Sequence, residues 1–139
     1  MSAPLNIQPG ATVPVFRREG TLQHWNRYAG VNYEFADHHM DDAVGRHEGF
    51  EAAFGMGPLM HAYMHTMLRD WIDPDVGRVA AVVMQLRKPF IRGTSFIASG
   101  TVKAVIDEGG ERHVDLDIWA DNDKGERLAT GTAKVVLPV

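Results

Sequence analysis

The sequence contains no cysteine, which excludes a disulfide framework, a thiolate metal site and a cysteine nucleophile. Positive charge is in short supply as well. The 14 Lys and Arg stand against 18 Asp and Glu, for a net charge of -4, which argues against a general binder of nucleic acid or of anionic membranes. No apolar run has membrane-spanning length: the longest apolar helical stretch carries histidines and ends in Arg69 and Asp70. The first residues, MSAPLNIQPGATVPVF, have neither a charged n-region nor an apolar core, so no signal peptide is expected and the protein reads as cytoplasmic. Repeats and low-complexity tracts are missing too. What is present is 139 residues, 45% hydrophobic and 23% charged. That composition fits one soluble domain over 1–139, with residues 1–10 as a loose arm.

Along the chain, Thr12 to Phe16 alternates weakly, and Pro14 favours an edge strand. Thr21 is a natural N-cap for a helix to about Ala29, with Leu22, Trp25 and Tyr28 on one face and Gly30 as its stop. Val31 to His39 has no clean period and reads as an ordered loop, followed by a short helix around Met40–Val44 with acids in its first turn. Gly57-Pro58 opens a helix through Trp71, because proline suits the first helical positions. Apolar residues cover well over half of that helix, so it should be buried. The remainder reads as four strands, Val79–Met84, Phe96–Ile106, His113–Ala120 and Leu128–Leu137, with hairpin signals at Glu108-Gly109-Gly110 and Asn122-Asp123-Lys124-Gly125. The order predicts an α+β fold: a curved antiparallel sheet, laid out as a four-strand meander, against one long helix.

Chemistry concentrates between Tyr28 and Leu59. Glu34, His38, His39, Asp41, Asp42 and the glycine-rich turn into the long helix fall within these 32 residues. A carboxylate, an imidazole and a helix N-terminus are the parts of an acid–base site acting on a carbonyl. Imidazole is the side chain whose proton exchanges near neutral pH, and the Gly57 N–H at the helix start is free to donate. Asp41 and Asp42 suit the start of a short helix, and His38 reads as a packed or solvent-facing loop residue. His61 and His65 lie four apart on the long helix, half of a metal site, but no HExxH pattern accompanies them, so no metal is expected.

These residues, in this order, resemble the MaoC-like dehydratases, the (R)-specific enoyl-CoA hydratase branch of the hot-dog fold. The family signature runs as an aromatic residue, Ala, two variable positions, Ser-Gly-Asp, any residue, Asn-Pro-Ile-His, any residue, Asp. Tyr28-Ala29-Gly30-Val31-Asn32-Tyr33-Glu34-Phe35-Ala36-Asp37-His38-His39-Met40-Asp41 lies on it without a gap. Phe50 through Met56-Gly57-Pro58-Leu59 matches the family's turn into its central helix, and Pro89-Phe90-Ile91-Arg92-Gly93 matches its strand ending in Pro, an apolar residue, two variable residues and Gly. His39 keeps the family's catalytic histidine. Glu34 stands in place of the catalytic Asp, Ala36 in place of the Asn, Asp37 in place of the Pro, and Met56 in place of a His.

The resemblance implies one hot-dog domain whose sheet wraps the central helix. It also implies an enzyme that hydrates trans-2-enoyl-CoA thioesters to (R)-3-hydroxyacyl-CoA, or the reverse, with no cofactor. Glu34 and His39 would be catalytic and the Gly57 N–H would hold the thioester oxygen. Met56 and Met60 would meet the acyl chain, and Arg92, with Arg87 and Lys88, would meet coenzyme A phosphates. A homodimer or larger hot-dog oligomer is expected. The acidic residue in place of the signature proline is similar to that of steroid side-chain-degrading hydratase subunits, which work as hetero-oligomers, so a subunit dependent on a second MaoC-like chain is the alternative. An acyl-CoA thioesterase, with Glu34 activating water against the carbonyl, is a third.

Overall fold

The computed structural model describes residue 5, residues 7–73 and residues 75–139. It contains strand β1 (Thr12–Glu19), helix α1 (Leu22–Asn32), a one-turn 3-10 segment (Asp37–His39), helix α2 (Asp42–His47), helix α3 (Gly57–Ile72), and strands β2 (Arg78–Leu86), β3 (Ser95–Glu108), β4 (Glu111–Asp121) and β5 (Arg127–Pro138). Residues 1–4 and 6 of the expected arm lie outside the described residues. Its end is tied down, with the Gly10 N–H donating to the Val102 carbonyl at 2.9 Å.

The five strands form one antiparallel sheet in the order β1-β3-β4-β5-β2. This corrects the simple meander: β3, β4 and β5 are consecutive neighbours, but β2 crosses to the far edge and pairs with β5, while β1 closes the other edge against β3. The expected edge role of Pro14 is found in β1. The register slips between Val13 and Phe16, where proline has no N–H to give to the ladder.

Alternation on β4 is regular. Val114, Leu116, Ile118 and Ala120 are buried, and their neighbours in sequence are partly exposed. The sheet's buried face curls around α3, which contacts β1, β2, β3 and β5. Met60, Met64, Met67, Leu68 and Ile72 of α3 are essentially inaccessible, and each such side chain contributes about 1.5–3 kcal/mol by transfer from water. The flexible thioethers fill the irregular space between a straight helix and a twisted sheet.

Helix α1 begins as expected, with the Thr21 hydroxyl accepting from the His24 N–H at 3.2 Å. It does not stop at Gly30. It continues to Asn32 and ends at Tyr33, whose φ of 57° places it in the left-handed region, with its N–H returning to the Ala29 carbonyl. A Cβ on Gly30 would meet nothing within 4 Å, so nothing at that position forces a turn.

Candidate active site

His39 sits at the end of the 3-10 turn, where its N–H donates to the Ala36 carbonyl at 3.0 Å. Its ring is buried, at 7% exposure, and its Nδ1 lies 2.6 Å from the Phe54 carbonyl oxygen. A carbonyl only accepts, so Nδ1 carries the hydrogen, and in the neutral ring Nε2 is left with its lone pair. The ring is further fixed edge-on to Phe54, with centroids 5.3 Å apart, and edge-on to His38 at 4.3 Å. His38 itself stacks flat on Phe54 and reaches Glu48 at 3.1 Å, so it is the packed loop histidine of the expectation.

The segment carrying Phe54 is held from both sides. On one side the Phe54 N–H donates to the His38 carbonyl at 3.1 Å, and on the other the Gly55 N–H donates to the Phe90 carbonyl at 2.7 Å. The Arg92 N–H donates to the Ala53 carbonyl at 2.8 Å, and the Asp42 carboxylate accepts from the Ala53 N–H at 3.0 Å. Arg92 closes the clamp through side chains: its guanidinium forks onto Asp42, with Nε to Oδ1 at 2.8 Å and Nη2 to Oδ2. The guanidinium holds the Asp42 carboxyl below the usual carboxylate range, with help from the Ala53 N–H, and Asp42 in turn raises Arg92. Asp41 caps α2 by accepting from the Ala43 N–H at 2.7 Å. Gly45 is required here, because a Cβ would lie 2.5 Å from the Ala52 carbonyl carbon and 2.8 Å from the Ala53 nitrogen.

Helix α3 starts with no side-chain cap. Met56 occupies the N-cap, and Gly57 and Pro58 are the first two helical residues. Met60 N–H bonds back to the Met56 carbonyl at 3.3 Å, Pro58 has no N–H, and the Gly57 N–H has no partner among the described residues. It lies at the positive end of a 16-residue helix dipole. His39, Gly57 and Met60 line one cavity of about 310 Å³, walled by Phe54 and Leu86, with Arg87 and Lys88 at its rim. Gly57 and Leu86 also border a larger groove of about 740 Å³ that runs along α3 past Tyr28, His61 and His65.

The structure therefore brings three of the six residues singled out from the sequence, His39, Gly57 and Met60, to one cavity. Glu34 does not line it. Glu34 is partly exposed beside the Tyr28 hydroxyl, which burial and the Glu34 charge hold above the usual phenol range. Tyr28 in turn lines the groove beyond Gly57. Met56 is fully buried as core. The guanidinium of Arg92 is committed to Asp42 rather than to the cavity rim, where Arg87 and Lys88 stand instead. Lys88 itself is paired with Glu126. Among the described residues no three His, Asp or Glu side chains gather as a metal-ligand set, and no helix is long and apolar enough to cross a membrane.

Two elements of the site have no signature in the sequence. The Phe54 carbonyl that fixes His39 is a backbone group, open to any side chain, and the Asp42–Arg92 pair joins positions 50 residues apart. Tyr28 was legible as part of an apolar helix face and as the aromatic residue that opens the signature, and neither reading placed it in a groove.

No family model matches the sequence, and no curated protein matches it. Solved structures do match in three dimensions. The (R)-hydratase from A. caviae involved in PHA biosynthesis superposes with a TM-score of 0.85 over 96% of this chain and 98% of its own, at 18% identity. A chain of the ChsH1-ChsH2 complex from Mycobacterium tuberculosis gives 0.81 over 94% and 98%, at 19% identity. The MaoC-like dehydratase from Rhodospirillum rubrum gives 0.80 over 96% and 94%, at 20% identity. At such identities likeness establishes architecture, and the architecture is the single hot-dog fold found in MaoC-like dehydratases and (R)-hydratases.

Proposed function

We propose that the protein is a hydratase/dehydratase of acyl-CoA thioesters, interconverting trans-2-enoyl-CoA and (R)-3-hydroxyacyl-CoA without a cofactor. The observation that carries this reading is the shared cavity of His39 and the Gly57 N–H, with Nδ1 of His39 committed to the Phe54 carbonyl and Nε2 left as a base. In the hydration direction Nε2 takes a proton from water as the water oxygen bonds to the β-carbon. The alkene electrons move onto the thioester oxygen, which the Gly57 N–H and the α3 dipole stabilise. The enolate then collapses, and its α-carbon takes the proton that His39 removed from the water, which returns Nε2 to its free form. Glu34, which does not line this cavity, takes no part in the step within the single chain. Addition of water and proton to one face gives the (R)-3-hydroxy product expected from the resemblance. Arg87 and Lys88 at the rim suit the coenzyme A phosphates.

The direct test is loss of enoyl absorbance when the purified protein meets trans-2-enoyl-CoAs of several lengths. Absence of turnover on all of them, with His39→Ala indistinguishable from wild type, would sink the reading.

A specific observation favours a second reading, in which the site is completed by another subunit. Glu34 is flanked by Tyr33 at 87% exposure and Phe35 at 55%, an apolar surface around the acid that the resemblance makes catalytic. Strand β2 also leaves one edge unpaired among the described residues, with Val83 at 63% and Leu86 at 51% exposure. Two of the similar structures, the ChsH1-ChsH2 and HadBC complexes from Mycobacterium tuberculosis, are assemblies of different chains. Activity of the isolated chain as a homodimer would support the first reading. Activity only after addition of a second MaoC-like chain from the native host would support the other.

A further inference from the structure

The groove continuous with the cavity has two chemically different ends. Pro58, Ala62, Met84 and Leu86, whose side chains offer no strong hydrogen bond to a ligand, wall it together with Tyr28. Farther along α3 it meets His61 and His65, whose rings stand 5.0 Å apart. The eight-residue step from Gly57 to His65 corresponds to about 12 Å along a helix axis, the reach of a medium-length acyl chain.

The hydrogen-bonding state of the pair is set by its surroundings. His61 Nε2 lies 3.2 Å from the Val82 carbonyl. A carbonyl only accepts, so Nε2 carries the hydrogen and Nδ1 of the neutral ring is an acceptor. The His65 ring makes no hydrogen bond to another described residue, and the residue is partly buried. Burial first, then the nearby His61 and the Arg69 guanidinium, holds its imidazolium below the usual histidine range, so at neutral pH the ring offers one N–H and one lone pair. Together the two rings present acceptors and a donor within one apolar groove. A hydroxyl, which donates once and accepts once, satisfies such a pair. A carboxylate only accepts and would face the unshared pair of His61. A methyl would desolvate both rings without replacing their water.

We propose that His61 and His65 determine specificity for acyl chains that carry a hydroxyl at their distal end, so that the preferred substrates are hydroxylated acyl thioesters rather than plain fatty acyl thioesters. This rests on the hydratase reading of the site for its orientation, with the thioester at Gly57 and the chain running toward His65.

The experiment compares trans-2-enoyl-CoAs of graded length with their ω-hydroxy and ω-carboxy counterparts, reading kcat/KM for wild type, His65→Phe and His65→Gln. Calorimetric affinities for the corresponding saturated acyl-CoAs are measured on the same proteins. One net hydrogen bond corresponds to about a tenfold preference. The expected result is a hydroxyl-over-methyl ratio of about ten at the length that reaches His65. That ratio falls to about one in His65→Phe and is retained in His65→Gln, which keeps a donor and an acceptor. The calorimetric preference should follow the same pattern. Hydration of plain chains with a wild-type ratio near one, or a preference for the carboxylate, overturns the inference while leaving the hydratase reading standing. A ratio unchanged in His65→Phe, with an altered oligomeric state by light scattering, overturns it in favour of a subunit contact. Turnover of no enoyl-CoA, with no calorimetric preference for the hydroxyl, defeats both.

Discussion

Replacing Gly45 with alanine tests whether the backbone between α2 and α3 positions the histidine. The new Cβ would sit 2.5 Å from the Ala52 carbonyl carbon and 2.8 Å from the Ala53 nitrogen, where real Cβ contacts essentially stop at 3.0 Å. The obstacle is main chain and cannot rotate away, so one backbone must retreat by at least about half an ångström. Ala53 is bonded to Asp42 through its N–H and to Arg92 through its carbonyl, and the next residue holds the His39 ring by its carbonyl. Overpacking of this kind costs about 1–3 kcal/mol, which for a chain of this size lowers Tm by roughly 3–10 °C. Movement of the His39 ring approaching 1 Å would cost up to about a hundredfold in rate. The assay pairs calorimetric unfolding with enoyl-CoA hydration by the folded protein. Gly30→Ala is the control, since its Cβ meets nothing within 4 Å in the interior of α1. It should raise stability by about 0.5–1 kcal/mol with turnover intact. If Gly45→Ala kept both its Tm and its rate, the clamp around Phe54 would not be what positions His39.

The other predictions are quicker to state. His39→Ala should lower kcat by about a hundred- to ten-thousandfold, whereas His38→Ala, which removes a ring stacked on Phe54, should change it only a few-fold; steady-state hydration kinetics separate the two. Asp41→Ala removes the α2 cap and should cost about 1 kcal/mol in a urea titration. For Asp42 the folded-state pKa is depressed by Arg92 and by the Ala53 N–H. Its contribution is therefore complete above the ordinary aspartate range and is lost as pH falls through the depressed folded-state value. The stability gap between wild type and Asp42→Asn, read from urea midpoints, should be largest near neutrality and close in strong acid. A gap that widens in acid would contradict the assignment. Finally, Val83→Lys on the open edge of β2 should shift the species seen by light scattering at micromolar concentration from dimer toward monomer.

What could be read in advance depended on whether the deciding contact was local. The Thr21 cap, the Gly57-Pro58 start and the alternation of β4 all depend on neighbours within a few positions, and the structure has them where they were expected. The placing of β2 beside β5 rather than beside β3 pairs Arg78 with Val136, and no nearby residue encodes a partner that far along the chain. Helix α1 ran past Gly30 because a glycine permits a turn without requiring one, and the left-handed conformation fell to Tyr33 instead. At the candidate site, His39 and Gly57, which line one cavity, could be picked out from the chain because one is a side-chain type and the other a helix start. The Phe54 carbonyl could not, since every residue carries one. Glu34 shows the limit most plainly: a five-residue spacing from His39 along the chain did not bring it to the same cavity.

The uncapped start of α3 has a consequence for how this protein should be probed. The group that would hold the thioester oxygen belongs to the main chain, and alanine at position 57 would keep it. An alanine scan would register only the 2.8 Å approach of a new Cβ to the Leu86 methyl and would score the position as a packing site. Pro58 already withholds the next hydrogen, so a contact made there would run through the main-chain hydrogen of Gly57, which no substitution other than proline would remove. Replacing that one amide with an ester by chemical ligation would remove the hydrogen and leave every side chain in place.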